Sequence, residues 1–236
     1  MIAVIDYGVG NLFSLSSSLS YLGLENEITR DPARLETADR IILPGVGAFA
    51  DAMRKLEETG LVPVLKQQVQ KKPMLGICLG MQLLFDKSYE YGEHAGLGLI
   101  PGQVCPLEDD LQDKTLKVPH IGWNALHLTR PEDPLFQYVN EGECVYYVHS
   151  YYAKHCVEST LATSEYELPV TGVVRRGAGV RHAVPPGKER RHRPAPFEGL
   201  CRAVRDERGG AKCRFFLPLT CGAARWCACT RAIMTR

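Results

Sequence analysis

The chain has 236 residues, enough for one large domain or two small ones. Apolar residues make up 45% and charged residues 23%, which excludes a disordered chain, and no apolar run nears the roughly 20 residues needed to cross a bilayer. The net charge of +1 conceals a split, because residues 1–170 hold 13 Lys+Arg against 23 Asp+Glu while residues 171–236 hold 15 against 4.

Met1 leads straight into the strand-like run Ile2–Asp6, so no secretory signal is expected and the protein is expected in the cytoplasm. The nine cysteines then read as free thiols. Gly8 and Gly10 close the first strand, and Asn11–Leu22 follows with Leu12, Leu15, Leu19 and Leu22 at helical spacing. Asn26–Thr29 is a weak strand and Arg40–Leu43 a strong one, ended by Pro44-Gly45-Val46-Gly47. Ala48–Thr59 and Leu61–Lys71 predict two amphipathic helices separated by Gly60. Met74–Ile77 predicts a buried strand running into Cys78, with a helix over Gly80–Phe85. Beyond that the texture changes: Val118–Leu128, Cys144–Tyr152 and Leu161–Thr163 are strand-like, with Asp133–Val139 helical between them. The alternation predicts an α/β fold, a mostly parallel open sheet with helices on both faces, plus a few antiparallel strands at one side. The glycine corners at Gly8/Gly10, Gly45/Gly47 and Gly76/Gly80 all follow strands and should share the sheet edge where such folds place their sites.

The sharpest chemical signal is Gly76-Ile77-Cys78-Leu79-Gly80, a nucleophile flanked by glycines at a strand-to-helix junction. The helix start would favour a thiolate at Cys78, and the Leu79 N–H would point at a developing oxyanion. A second oxyanion donor could come from the Val46–Gly47 corner, where glycine lets backbone approach a substrate. The bland alternative, a small buried cysteine beside an ordinary turn, stands next to this reading. A base would have to come from His120, His127, His149 or His155, none of which is followed by a carboxylate in a recognisable motif. Gly8-Val9-Gly10 opens like a dinucleotide fingerprint, but Phe13 stands where the third glycine belongs. Cys221, Cys227 and Cys229 lack paired CxxC spacing, so neither metal nor cofactor is expected.

IDYGVGNLFSL at 5–15, LPGVGAF at 43–49, LGICLGMQLLF at 75–85, VPHIGWN at 118–124 and YYVHSYY at 146–152 together resemble the glutaminase subunits of imidazole glycerol phosphate synthase. Those subunits are class I (triad) glutamine amidotransferases with a flavodoxin-like fold. The resemblance implies that Cys78 attacks glutamine to form a glutamyl thioester, with Val46, Gly47 and Leu79 at the oxyanion hole. It implies that Gly47, Gln82, Ser150 and Tyr151 bind glutamine, and that Asn11 and Trp123 face a partner. That partner is the cyclase subunit, a (β/α)₈ barrel that takes the ammonia to make imidazole glycerol phosphate and an aminoimidazole carboxamide ribotide for histidine and purine synthesis. A heterodimer is implied, with no nucleic acid or membrane partner.

The resemblance covers residues 1–176; residues 177–236 depart from it and read as an aberrant tail rather than a native domain. The family carries its base and orienting acid in a Phe-His-Pro-Glu-Lys-Ser stretch near the C-terminus, which this chain lacks. Synonymous codons for 179–191 can be chosen whose second-base reading is Val-Tyr-Gly-Met-Gln-Phe-His-Pro-Glu-Lys-Ser-Gly. That restores the motif, with His in register with Pro185 and Glu in register with Gly187. An Arg- and Cys-rich tail is also what out-of-frame GC-rich coding yields, so the tail reads as a frameshift product ahead of a nucleic-acid-binding segment. His182 is displaced by three residues, which on a strand turns it to the other face. Without the tail motif the chain would be a catalytically silent docking partner of the cyclase. A third alternative, a thiol hydrolase of the α/β-hydrolase type, is disfavoured by YVHSYY and PHIGWN.

Overall fold

Short β-branched runs, each too short to make a helix of useful length, build the centre of the molecule. The computed structural model describes residues 1–177 and a strand at 214–217. Strands β1 (Ile2–Ile5), β2 (Asn26–Thr29), β3 (Arg40–Leu43) and β4 (Met74–Ile77) pair in parallel in the order β2-β1-β3-β4. Their side chains alternate between two cores. Ala3, Ile5, Ile41, Leu43 and Met74 point one way, against Leu35, Phe49, Leu56 and Leu65; Ile2, Val4, Ile42 and Leu75 point the other, against Leu15 and Leu19. Helix α1 (Leu12–Tyr21) therefore covers one face, while α2 (Pro32–Thr37), α3 (Phe49–Glu58) and α4 (Val62–Gln68) cover the other.

The helix starts follow from the sequence. Asn11 caps α1, its Oδ1 accepting from the Ser14 N–H at 3.2 Å, and Asp31 caps α2 at 2.9 Å from the Ala33 nitrogen, with Pro32 in the first turn. The sequence reading did not anticipate α2, whose six residues are too few to show a period. Its open C-terminus is closed from a distance by the Lys72 ammonium, which donates to the carbonyls of Leu35, Glu36 and Ala38 at 2.9, 2.8 and 2.6 Å.

The second half is antiparallel-rich. Strands β5 (Phe85–Ser88), β6 (His94–Ala95), β7 (Ile100–Pro106) and β11 (Tyr151–Lys154) form a separate sheet in the order β11-β7-β5-β6, with only β5 and β7 parallel. Strands β8 (His120–Ala125) and β10 (Cys144–His149) form a two-stranded antiparallel ribbon. Strands β9 (His127–Leu128), β12 (Thr160–Tyr166) and β13 (Leu168–Arg176) extend the main sheet.

Several expected elements change. The helix expected over Gly80–Phe85 is a single turn, α5 (Leu79–Gln82), and Phe85 already belongs to β5, where it is fully buried. The expected helix at Asp133–Val139 is a 3₁₀ turn at Pro134–Phe136. The strand-like run Val118–Leu128 breaks at buried Leu126, and Cys144–Tyr152 breaks at Ser150, so that its two halves join different sheets. Strands β5 to β7 and β13 were not expected. The tail was expected to supply no strand, yet Arg214–Leu217 forms β14, parallel to β4 and antiparallel to β13. The expectation of poor packing for the remaining tail falls on residues 178–213 and 218–236, outside the described residues, as do Pro185, Gly187, His182 and the tail cysteines. Among the described residues, no helix is long and apolar enough to cross a membrane.

Candidate active site

Cys78 sits on the turn between β4 and α5 with φ 57° and ψ −121°, a left-hand-side conformation that side-chain-bearing residues rarely adopt. Such strain persists only where neighbouring packing fixes it, and it gathers at functional sites. The neighbouring packing here is backbone against backbone. A Cβ on Gly80 would lie 2.0 Å from the Leu43 carbonyl oxygen, and one on Gly76 would lie 2.8 Å from the Gly80 oxygen and from Met81 Cα. The Pro44–Gly47 corner closes over the same turn, since a Cβ on Gly45 would lie 2.5 Å from the Gly80 nitrogen. The Tyr7 hydroxyl holds that corner, donating to the Pro44 carbonyl at 2.6 Å. The glycines of the Gly-x-Cys-x-Gly run are thus demanded by close approach, and they deliver Cys78 to a cavity.

That cavity is narrow and partly open to solvent, and it is lined by Cys78, Gln82, Tyr147, His149, Tyr151 and their neighbours. Of the residues singled out in the sequence, Cys78, Gln82, His149 and Tyr151 come together here. The Gln82 amide donates to the Tyr151 carbonyl at 3.2 Å, tying α5 to β11. Leu79 opens α5 and is buried; Val46 and Gly47 lie on the corner after β3, with Val46 43% exposed and Gly47 at φ 93°. Ser150 sits in the link between β10 and β11, where its carbonyl accepts from the Leu107 nitrogen at 2.8 Å, and it is not among the lining residues. A helix dipole at Cys78 is reduced to the N–H groups of one turn, because α5 has four residues.

Tyr147, Tyr152 and Thr171 also line the cavity and were not singled out, although Tyr147 and His149 share a strand face by simple alternation. Each histidine considered as a base is placed by the structure. His127 pairs with Glu141 at 3.0 Å on an exposed hairpin, and His155 occupies a turn at φ 57°. His149 lines the cavity, but both its nitrogens are engaged, Nδ1 with the Tyr151 carbonyl at 3.0 Å and Nε2 with His120 Nδ1 at 3.1 Å. Burial pushes its pKa down to about 4, so at neutral pH the ring is neutral, with one N–H and one lone pair. Its two nitrogens are turned to the Tyr151 carbonyl and to His120.

On β8, residues alternate: His120 and Asn124 face inward, while Ile121 and Trp123 face out, with Trp123 59% exposed and tilted against Tyr146 at 5.4 Å. Asn11 lies at the start of α1 beside the highly exposed Phe13.

A strained cysteine between close-packed glycines, opening on a cavity beside Gln82, is joined by a match of residues 3–180 to the family model described as "Glutamine amidotransferase class-I". The chain belongs to the class-I glutamine amidotransferase family. Its relatives include proteins named imidazole glycerol phosphate synthase subunit HisH. That of Lacticaseibacillus casei is 49% identical over 177 residues, covering 75% of this chain and 83% of the relative. That of Bacillus cereus is 48% identical over 178 residues, covering 75% and 82%. Among solved structures, one titled as a glutamine amidotransferase superposes with a TM-score of 0.56 at 19% identity, covering 75% of this chain and 86% of that one. PurLQS from Thermotoga maritima gives 0.53 at 18%, covering 73% and 80%. Those two likenesses show the fold, and the strand order β2-β1-β3-β4 agrees with the flavodoxin-like expectation. Within the amidotransferases, this chain stands with the HisH-type subunits.

Proposed function

We propose that this amidotransferase is the glutaminase subunit of an imidazole glycerol phosphate synthase, hydrolysing glutamine to glutamate and ammonia. The single observation that carries the reading is Cys78, held at positive φ on a glycine-locked turn and opening on a cavity with Gln82 and Tyr151. In this reading Cys78 Sγ, as thiolate, attacks the side-chain amide carbon of glutamine, and the carbonyl oxygen takes the negative charge. The Leu79 N–H, and an N–H from the Val46–Gly47 corner once that corner turns, stabilise the oxyanion. Collapse expels the amide nitrogen as ammonia with a proton from the base, and water then cleaves the glutamyl thioester. Gly47, Gln82, Ser150 and Tyr151 hold the glutamine.

The ammonia passes to a cyclase subunit in a cytoplasmic heterodimer, docked against the side bearing Asn11 and Trp123. The outward Ile121 and Trp123 support that surface. Hydrolysis at one subunit and ring-forming lyase chemistry at the other would make a single enzyme.

The base and its orienting acid belong to the tail. The family match ends at residue 180, which supports the reading of residues 177–236 as a frameshifted segment in place of the Phe-His-Pro-Glu-Lys-Ser stretch. A second reading, for the chain as written, is a docking partner without glutaminase activity; the placement of His149 favours it, because its two nitrogens are turned to the Tyr151 carbonyl and to His120.

The nucleophile is tested in a frame-restored chain assembled with the cyclase. Cys78→Ala should abolish glutamine-dependent synthesis and leave ammonia-dependent synthesis intact. An Ala variant that still hydrolyses glutamine would refute the assignment.

A further inference from the structure

Behind the cavity wall a continuous row of hydrogen bonds runs from β11 to β12. The Tyr151 carbonyl meets His149 Nδ1 at 3.0 Å, His149 Nε2 meets His120 Nδ1 at 3.1 Å, His120 Nε2 meets Asn124 Oδ1 at 2.9 Å, and Asn124 Nδ2 donates to the Glu165 carbonyl at 3.0 Å. Both ends of the row are carbonyl oxygens, which only accept. Between them stand two imidazoles and one amide, each of which, when neutral, places one donor and one acceptor in the row. Four links need four hydrogens, and three neutral groups supply three. Turning the Asn124 amide over moves the defect to the Glu165 link without removing it. A single extra proton on the imidazole pair fills every link at once: Nδ1–H of His149 to Tyr151, one hydrogen between the rings, Nε2–H of His120 to Asn124, and the amide N–H to Glu165.

We propose that His120 and His149 are one positioning unit that binds a single shared proton, and that this proton completes the row fixing the Tyr151 wall of the glutamine pocket. The proposal deepens the glutaminase reading and rests on it only for what the pocket holds; the hydrogen count stands without it. His120 is a positioning residue, acting on the cavity through His149. Its ring is clamped for that purpose, stacked on Tyr147 at 4.9 Å and on Tyr166 at 3.9 Å. The Tyr151 carbonyl at the end of the row is the one that also receives the Gln82 amide, so the row is continuous with the turn carrying Cys78.

Two effects oppose each other. Completing the row favours the proton, and burial of both rings disfavours it, with the charge of each ring holding off a second proton on the other. The groups facing the pair are, from β10, the phenol of Tyr147, which burial pushes up to about 12; from β12, Tyr166 and the Glu165 carbonyl; from β8, Asn124; and from β4, α5 and β11 across the cavity, Cys78, Gln82 and Tyr151. Among the described residues, no carboxylate figures in the surroundings that shift either ring. The pair therefore takes up its proton below the ordinary histidine range, and takes up only one.

The test is an imidazole ¹⁵N titration by NMR on the full 236-residue chain from about pH 3 to 8. Both rings should move with one common midpoint, with the His149 Nδ1–H retained throughout. Asn124→Asp, which sets a carboxylate against His120 Nε2, should raise that midpoint by about 1 unit or more. In His120→Phe, which keeps an aromatic ring between Tyr147 and Tyr166, a proton on His149 Nε2 has no acceptor, so His149 should titrate alone with its midpoint lowered. Independent titration of the two rings at ordinary histidine values, an unmoved midpoint in the Asp variant, or an unlowered His149 midpoint in the Phe variant would each overturn the proposal. None of these readouts uses glutamine turnover, so failure of the glutaminase reading registers separately, in the Cys78→Ala experiment.

Discussion

At the scale of single residues, the site is shaped more by missing atoms than by present ones. Gly80 is the clearest case, since a methyl group there would strike the Leu43 carbonyl at 2.0 Å and the C-terminal side of β3 would have to move. Gly80→Ala is expected to cost about 3 kcal/mol, the upper end of overpacking, whereas Gly122→Ala, whose Cβ meets nothing closer than 3.6 Å, should stay within about 0.5 kcal/mol. Urea unfolding midpoints check both, and equal effects would contradict the packing argument. The buried histidines predict a pH dependence of definite sign. The folded-state pKa of His149, about 4, lies below the unfolded value near 6.5, so the unfolded chain binds more protons between those limits. Stability should be highest above pH 6.5 and fall as the pH drops toward 4. The same urea midpoints measured at pH 7 and pH 5 should differ, and the difference should shrink when His120 and His149 are both replaced by Phe.

At the scale of elements, the second half of the chain is tied together by polar contacts as well as apolar ones. The 3₁₀ turn at Pro134–Phe136 is held to β13 by Arg175, whose guanidinium meets the Asp133 carboxylate at 2.6 and 3.0 Å with side chains 10% and 2% exposed. Asp133 also accepts from the Leu135 nitrogen at 3.0 Å, so a single carboxylate starts the turn and anchors it. Removing one partner would leave a buried charge uncompensated. Arg175→Met should destabilise the protein by about 3–5 kcal/mol, and adding Asp133→Asn should recover part of that loss. A loss in the single variant no larger than in the double would show that the pair contributes nothing specific. The ribbon of β8 and β10 is a different kind of element. Its inward positions carry the histidine pair and its outward ones Ile121 and Trp123, so the two paired strands join the pocket wall on β10 to the surface proposed for the partner on β8.

For the whole molecule, the proposed activity turns on the tail. A frame-restored chain would have a base in register with Pro185, whereas among the described residues of the written chain the histidine lining the cavity, His149, turns its nitrogens to Tyr151 and His120. Losing a general acid–base typically costs about 10²–10⁴ in rate, and triad members fail together, so the written chain should fall at least that far below the restored one. Glutamine-dependent turnover of the two chains, each assembled with the cyclase, measures this directly; comparable rates would overturn the missing-base argument. The restored chain alone should be a weak glutaminase and rise steeply when the cyclase and its nucleotide ligand are present, because the Val46–Gly47 corner must turn before it can donate to the oxyanion. Full activity without the partner would refute that coupling.

The parallel half of the fold was legible in the sequence, because strands β1 to β4 and helices α1, α3 and α4 announce themselves through local periods of two and 3.6. Cys78 was legible for the same reason: the elbow is a contiguous motif whose glycines are required by local sterics. Other features depended on distant partners. Phe85 looked helical by its neighbours, yet it is a strand residue because Ile100 pairs beside it. The short strands β5 to β7 carry too few residues for a period to show, and β13 was lost because glycine and proline interrupt its pattern. Nothing in the order of residues says that Gly80 must pack on Leu43, or that His120 and His149, twenty-nine residues apart, face each other. Local sterics and periodicity fix what a contiguous segment can do, and so the sequence by itself determined the strand–helix alternation, the family and the glycine-flanked turn that carries Cys78. The hydrogen-bond count behind the pocket depends on which carbonyls close the row, and only the tertiary structure could decide that.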